Sequence, residues 1–215
     1  DPGRVVVTAG ASGAVTLTLL AAFDPGDRVV VAEPGYPCYR QVLTALGLVP
    51  VPVRIGPDDG FLLGPDHLAT AAADGPIAGV VVASPANPTG TAYDRAGLDA
   101  LGAWCRDHGA LLVADEIYHG ITFGDPAPTA AADDTVVIGS FSKYFSMTGW
   151  RLGWMVVPPE LVEPVDRLSQ NLYLSPPTLA QHAALAAFDD LAELDGHVER
   201  YAANRAALLD ALERM

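Results

Sequence analysis

Lysine is nearly absent from this chain. Among 215 residues there is one, Lys143, and the other eleven of the twelve basic side chains are arginines. Cysteine is scarce as well. Cys38 and Cys105 lie far apart in the sequence, which gives no disulfide framework and makes a reducing, cytoplasmic setting the expectation. Positive charge is in deficit: the formal net charge is −14, which argues against a nucleic-acid or anionic-membrane surface. No apolar run is long enough to span a bilayer, and no signal-peptide pattern is present. The five histidines (His67, His108, His119, His182, His197) show no ligand spacing. The acids Asp189, Asp190, Glu193, Asp195 and Glu199 read as a solvated helix face, so no metal is expected. Internal repeats and low-complexity segments are missing too.

Half of the residues are apolar, enough for the core of one large domain or two small ones. Short apolar runs alternate with helical patterns. Strands are predicted at 5–8, 28–32, 48–53, 77–83, 110–114, 135–139 and 152–157, with helices at 14–23, 38–46, 66–73, 94–108, 160–172 and 178–215. Asp66 is the expected cap of its helix, and Asp94 begins the next. This alternation predicts an α/β domain with a mainly parallel sheet. The link between the last two strands is short and has no long helix, so one antiparallel return is expected there.

The strand ends carry the chemistry. After the first strand comes Gly10-Ala11-Ser12, a small-residue turn into a helix, which can aim backbone N–H groups at a phosphate. After the second, Pro34-Gly35-Tyr36-Pro37 frames a tyrosine ring. After the fourth, Asn87 lies between Pro85 and Pro88, where a cis peptide is plausible. The fifth ends in Asp115-Glu116-Ile117-Tyr118, placing an acid at the mouth where open α/β sheets bind ligands. The sixth delivers Ser140, Ser142 and Lys143, and Arg151 follows in an apolar, Gly-containing run expected to be closed to solvent. Arginine stays protonated in proteins, whereas lysine can be tuned to a free amine that forms an imine with a carbonyl. One ligand could use all these groups: a phosphate, an aromatic ring with an acidic hydroxyl, a ring nitrogen and an aldehyde. Pyridoxal 5′-phosphate has each of them.

The five segments Val7–Ser12, Pro34–Pro37, Asn87–Gly90, Asp115–Tyr118 and Ser140–Gly153 together resemble the class I/II aminotransferases, fold-type I pyridoxal-phosphate enzymes. Their order and spacing fit that family over nearly the whole chain. The resemblance implies a three-layer α-β-α large domain with a seven-stranded sheet. It implies an imine (Schiff base) between Lys143 and the cofactor, with the freed lysine moving the Cα proton. It implies that Asp115 bonds the pyridine N–H, that Asn87 and Tyr118 donate to the ring O3′, and that Tyr36 stacks on the ring. Gly10, Ala11, Ser12, Ser140, Ser142 and Arg151 would hold the phosphate. Amino acids and 2-oxo acids are the implied substrates, and a homodimer the implied assembly.

Family members are longer. The chain is therefore expected to be the cofactor-binding large domain, residues 1–215, without an N-terminal arm and a smaller C-terminal domain. No arginine here is assigned to the substrate carboxylate. Two other readings use the same residues: a carbon–sulfur β-lyase of the same fold, and an aminotransferase-like effector-sensing domain of a transcription regulator.

Overall fold

Strands that are apolar at nearly every position cannot offer a polar face to water, so they pair into a sheet covered on both sides. The computed structural model, which describes residues 1–215, shows this arrangement. Its strands are β1 (Val5–Thr8), β2 (Arg28–Glu33), β3 (Val49–Arg54), β4 (Gly79–Ala83), β5 (Leu111–Asp115), β6 (Thr135–Ser140) and β7 (Gly153–Val156). They form one seven-stranded sheet in the order β1-β7-β6-β5-β4-β2-β3. Neighbours from β3 to β6 pair in parallel, while β7 runs antiparallel to both β6 and β1. The expected single antiparallel strand is thus β7. The link before it, residues 141–152, contains only the 3-10 turn Thr148–Trp150, too little for a crossover.

The helices are α1 (Gly10–Ala22), α2 (Pro37–Ala45), α3 (Pro65–Ala72), α4 (Arg95–His108), α5 (Pro159–Leu172), α6 (Thr178–Ala187) and α7 (Leu191–Glu213). Alternate strand residues choose their layer. Val29, Val31, Val81, Val113 and Ile138 pack with α1, α2 and α5. Val30, Val80, Val82, Leu112 and Ala114 pack with α3 and α4. This two-residue period along doubly covered strands produces the three layers. Leu17, Leu43, Leu68 and Leu101 are fully buried in them. Each such leucine contributes roughly 1.5–3 kcal/mol from the area it removes from water. A smaller cluster of Phe141, Met147, Leu152, Ala180 and Ala184 seats α6 against the loop that carries Lys143.

Three local expectations are corrected. Helix α1 begins at Gly10, four residues earlier than its apolar run predicts. Asp66 lies in the first turn of α3 and does not cap it. Gly64 is the cap residue, and its N–H donates to His67 Nδ1 at 3.0 Å. The C-terminal pattern is two helices, broken between Ala187 and Leu191. Phe188 is held there by Phe141 and Phe145, and Asp190 caps α7 by accepting from Glu193 N–H. Asp94 caps α4, accepting from Gly97 N–H at 2.7 Å.

Two glycines let the layers approach. A Cβ at Gly153 would lie 2.8 Å from Gly139 O, 2.9 Å from Gly10 C and 3.0 Å from Ala11 N. The start of α1 therefore rests directly on β7. At Gly139 a Cβ would enter the indole of Trp154, at 2.3 Å.

Candidate active site

The chain leaves β2 outward to β3, then returns to β4 on the other side and continues to β5 and β6. Between β2 and β4 the direction of winding reverses, and open α/β sheets bind ligands beyond the strand ends at such a point. A cavity of about 230 Å³ lies here. Of the residues predicted from the sequence, Ala11, Ser12, Tyr36, Asn87, Asp115, Tyr118, Ser142, Lys143 and Arg151 line it. Gly10 and Ser140 do not. Gly10 lies behind Arg151, and buried Ser140 accepts from Ser142 N–H at 3.1 Å and contacts the Ser142 hydroxyl at 3.0 Å. A wider open groove of about 940 Å³ adjoins the cavity and shares Asn87 and Tyr118 with it. The smaller space is the site, because Lys143 and Asp115 face it and not the groove.

One end of the cavity is built around Asp115, the last residue of β5 and only 4% exposed. Its Oδ2 accepts from the Tyr39 hydroxyl at 2.6 Å, and its Oδ1 from Ile117 N–H at 3.1 Å. Burial pushes the carboxyl above its ordinary range, while the Tyr39 and Ile117 hydrogen bonds and the Lys143 charge pull it down. Burial, reinforced by the Asp115 charge, pushes the Tyr39 hydroxyl well above its own ordinary value. Next in the chain, Glu116 turns away from the cavity. It accepts from Ala130 N–H at 2.6 Å and from the Thr129 hydroxyl, and it lies 3.4 Å from His119 Nδ1. These bonds fasten the long segment after β5. Burial raises the Glu116 carboxyl too.

The other end is the start of α1. Ala9 gives the helix no side-chain cap, so the first N–H groups have no side-chain partner. The turn is fastened from below, where buried Thr8 donates to Gly10 O at 3.1 Å. Gly10 has φ +77°, and a Cβ there would lie 2.6 Å from Arg151 Nη2. The guanidinium fills the space a side chain would need. Arg151 is exposed and has φ +53°, which corrects the expectation that its run is closed to solvent. Its Nη1 donates to Thr148 O at 3.0 Å, and it has no carboxylate partner, unlike Arg4, Arg40, Arg95, Arg106, Arg167 and Arg214. An unpaired guanidinium beside open N–H groups at a helix start is an anion-binding arrangement.

Lys143 lies between these ends on the loop after β6, half-buried, with Nζ 5.5 Å from the centre of the Tyr118 ring. The loop is held on both sides. Thr148 Oγ1 donates to Ser142 O at 2.6 Å, Met147 N–H to Phe141 O at 2.9 Å, and Phe141 N–H to Leu152 O at 3.1 Å. Phe141 is wedged against Phe145, Trp154 and Phe188. After Lys143, the Tyr144 hydroxyl donates to Asp195 of α7 at 2.6 Å, so that acid does more than face solvent.

Sequence reasoning missed Tyr39, Cys38, Thr148, Val15, Ala83 and Ile117 in the cavity wall. For Tyr39 one signal was available. It follows by three residues the framed Tyr36, which sits just before α2. The two rings meet edge to face at 5.5 Å.

Comparisons with known proteins identify the family and the fold. The family model for aminotransferase class I and II matches residues 1–215. Valine–pyruvate aminotransferase of Mycobacterium tuberculosis is 48% identical over 221 residues, covering 100% of this chain and 56% of that protein. The crystal structure of a putative aminotransferase from Silicibacter pomeroyi superposes with a TM-score of 0.94 at 50% identity, over 100% of this chain and 57% of that one. Aspartate aminotransferase from Thermus thermophilus with maleate gives 0.92 at 32% identity, over 100% and 58%. The chain belongs to the class I and II aminotransferase family, and its fold is that of the fold-type I enzymes. It spans about half the length of the curated relatives it matches.

Proposed function

We propose that residues 1–215 are the cofactor-binding large domain of a pyridoxal-phosphate-dependent aminotransferase that moves an amino group from an L-amino acid to a 2-oxo acid. One observation carries this reading. A single cavity brings Lys143 together with a buried carboxylate, Asp115, at one end and an unpaired guanidinium over a helix start, Arg151 on α1, at the other. A phosphorylated pyridine aldehyde needs that donor set: an anion cradle, an acceptor for a protonated ring nitrogen, and an amine. Gly10 supports the fit, since any side chain there would displace Arg151 from the cradle.

Each residue then has a task that follows from its place. Asp115 holds a proton on the ring nitrogen, the position from which charge at the reacting carbon is drawn. Asn87 and Tyr118, which line the cavity from the loops after β4 and β5, would donate to the ring hydroxyl oxygen. Tyr36, 42% exposed and lining the cavity, would cover the ring face. The N–H groups of Gly10, Ala11 and Ser12, the Ser142 hydroxyl and the Arg151 fork bind the phosphate, and Ser140 orients Ser142. When bound, the cofactor supplies an electron sink conjugated to the substrate nitrogen. Lys143 provides the attachment point and, once free, takes the Cα proton and returns it.

The names of the relatives support amino transfer over β-elimination, and the valine–pyruvate enzyme supports a small apolar donor with pyruvate as acceptor. The implied homodimer is supported by the uncovered leucines Leu174, Leu179 and Leu185, which are 83%, 73% and 67% exposed. A cytoplasmic setting is supported by two free thiols, and no helix is long and apolar enough to cross a membrane.

The test adds pyridoxal 5′-phosphate to the full chain and follows the imine absorbance. Borohydride should fix the adduct on the wild type and leave none on Lys143→Ala. An equal reducible adduct on Lys143→Ala would remove Lys143 from the assignment. Donors from valine to aspartate, offered with pyruvate or 2-oxoglutarate, then define the substrates. Pyruvate and ammonia released from a cysteine conjugate, with no oxo acid added, would point to the lyase.

A further inference from the structure

The Tyr39–Asp115 bond joins residues 76 positions apart, between α2 and the end of β5, and both partners are buried. At 2.6 Å it is within the short range of a hydroxyl donating to a carboxylate. Buried polar groups without partners are costly, so this hydroxyl and this carboxylate depend on each other. Yet a phenylalanine at position 39 would fill the same apolar volume between Val15, Leu43 and the strands. What the tyrosine adds is a donor aimed at one carboxylate oxygen.

We propose that Tyr39 is a positioning residue for Asp115: its hydroxyl fixes the carboxylate at the mouth of β5 and keeps it in the ionised, hydrogen-bond-accepting form. Each Asp115 oxygen accepts one bond from the protein, from Tyr39 and from Ile117, and each keeps further acceptor capacity toward the cavity. Tyr39 is not a catalytic residue, because it acts only through Asp115. The consequence for a ring nitrogen rests on the cofactor reading above; the Tyr39–Asp115 coupling itself does not. The titratable groups facing Asp115 are few. Tyr39 and Cys38 come from α2, Tyr36 stands just before it, Lys143 comes from the loop after β6, and Glu116 is next in the chain. Of these, Tyr39 alone donates a hydrogen bond to the carboxylate from its side chain.

The experiment compares wild type, Tyr39→Phe, Asp115→Asn and the double variant in the full chain. Two readouts are used: the pH dependence of pyridoxal-phosphate affinity, and the pH dependence of the Asp115 13Cγ signal in the protein without cofactor. Loss of a donor to the ionised form raises its proton affinity. Tyr39→Phe should therefore move both midpoints to higher pH by about one unit, a tenfold change in proton affinity. Below that midpoint cofactor binding weakens by a similar factor, and it equals wild type well above it. In the Asp115→Asn background Tyr39→Phe should have no further effect. An unmoved 13Cγ midpoint in a folded Tyr39→Phe protein would overturn the proposal, even if its melting temperature falls. Failure of the wild type to bind pyridoxal phosphate would sink the cofactor reading while leaving the 13Cγ comparison to decide on Tyr39.

Discussion

The two ends of the cavity handle charge in opposite ways. At the Asp115 end the charge is buried and answered inside the chain, by Tyr39 and Ile117. At the α1 end the charge is exposed: Arg151 has no carboxylate partner within the chain, and the first N–H groups of α1 have no side-chain cap. A buried carboxylate gains nothing from salt and is governed by pH. An exposed guanidinium is screened by salt and governed by whatever anion is present. One end is therefore satisfied by partners within the chain, and the other is the end that the proposed phosphate would meet. The loop carrying Lys143 joins them, held by Thr148 on one side and by the Phe141 cluster on the other.

The comparison can be tested in order of expected effect. Asp115→Asn keeps the volume and removes the charge at the buried end. Amino transfer should fall by about a thousandfold, while the borohydride-fixed adduct still forms, since losing one preorganised electrostatic partner costs about that much. Activity within tenfold of wild type would break the assignment of that end. Arg151→Ala acts at the open end. Cofactor affinity should fall by about 10- to 100-fold, and Arg151→Lys should recover part of it, since the charge returns without the planar fork. Titration of absorbance against cofactor concentration reads both.

Gly10→Ala attacks the same end through the backbone. It strains a φ of +77° and drives a Cβ to 2.6 Å from Arg151 Nη2. An affinity loss of about tenfold is expected, with a modest drop in melting temperature. Smaller still, raising ionic strength from 0.05 to about 0.5 M should weaken wild-type affinity only a few-fold. The slope should flatten in Arg151→Ala and persist in Asp115→Asn. Parallel slopes in all three would erase the contrast between the ends.

The smallest effect is on stability without cofactor. Asp115 binds its proton more tightly folded than unfolded, because burial raises its carboxyl. That linkage favours folding below the ordinary carboxylate range and is lost as pH rises through the raised folded value. Asp115→Asn should then melt higher than wild type at pH 7, and the gap should close on acidification. Glu116 is raised as well, chiefly by burial and in smaller part by the Asp115 charge, so the difference between the melting curves reads Asp115 together with its coupling to Glu116.

Much of the fold was readable along the chain. The buried strands were found within a residue or two, because both faces of a doubly covered strand must be apolar, and Val-rich runs bounded by Gly and Pro leave little choice. The β6–β7 return was readable from the shortness of its link. The start of α1 was not, since Gly10, Ser12 and Gly13 are poor helix formers and the close packing of this turn against β7 and Arg151 is not visible in the sequence. Nor was the break at Phe188, which depends on two phenylalanines over forty residues away. Asp66 was misread as a cap because its neighbour Gly64, with His67, does the capping.

The site divides in the same way. The sequence by itself determined which chemistry is present: one lysine among arginines, an acid ending an apolar strand, and a small-residue turn before a helix. Those are matters of residue type and local period, and no folding is needed to see them. Only the tertiary structure decided how each group is held. It bonded Tyr39 to an aspartate 76 positions away, left Arg151 open over Gly10, and placed Ser140 behind Ser142 instead of in the cavity wall. The physical reason is that burial and hydrogen-bond partners belong to pairs of elements, and nothing within one element specifies what the next will bring to it.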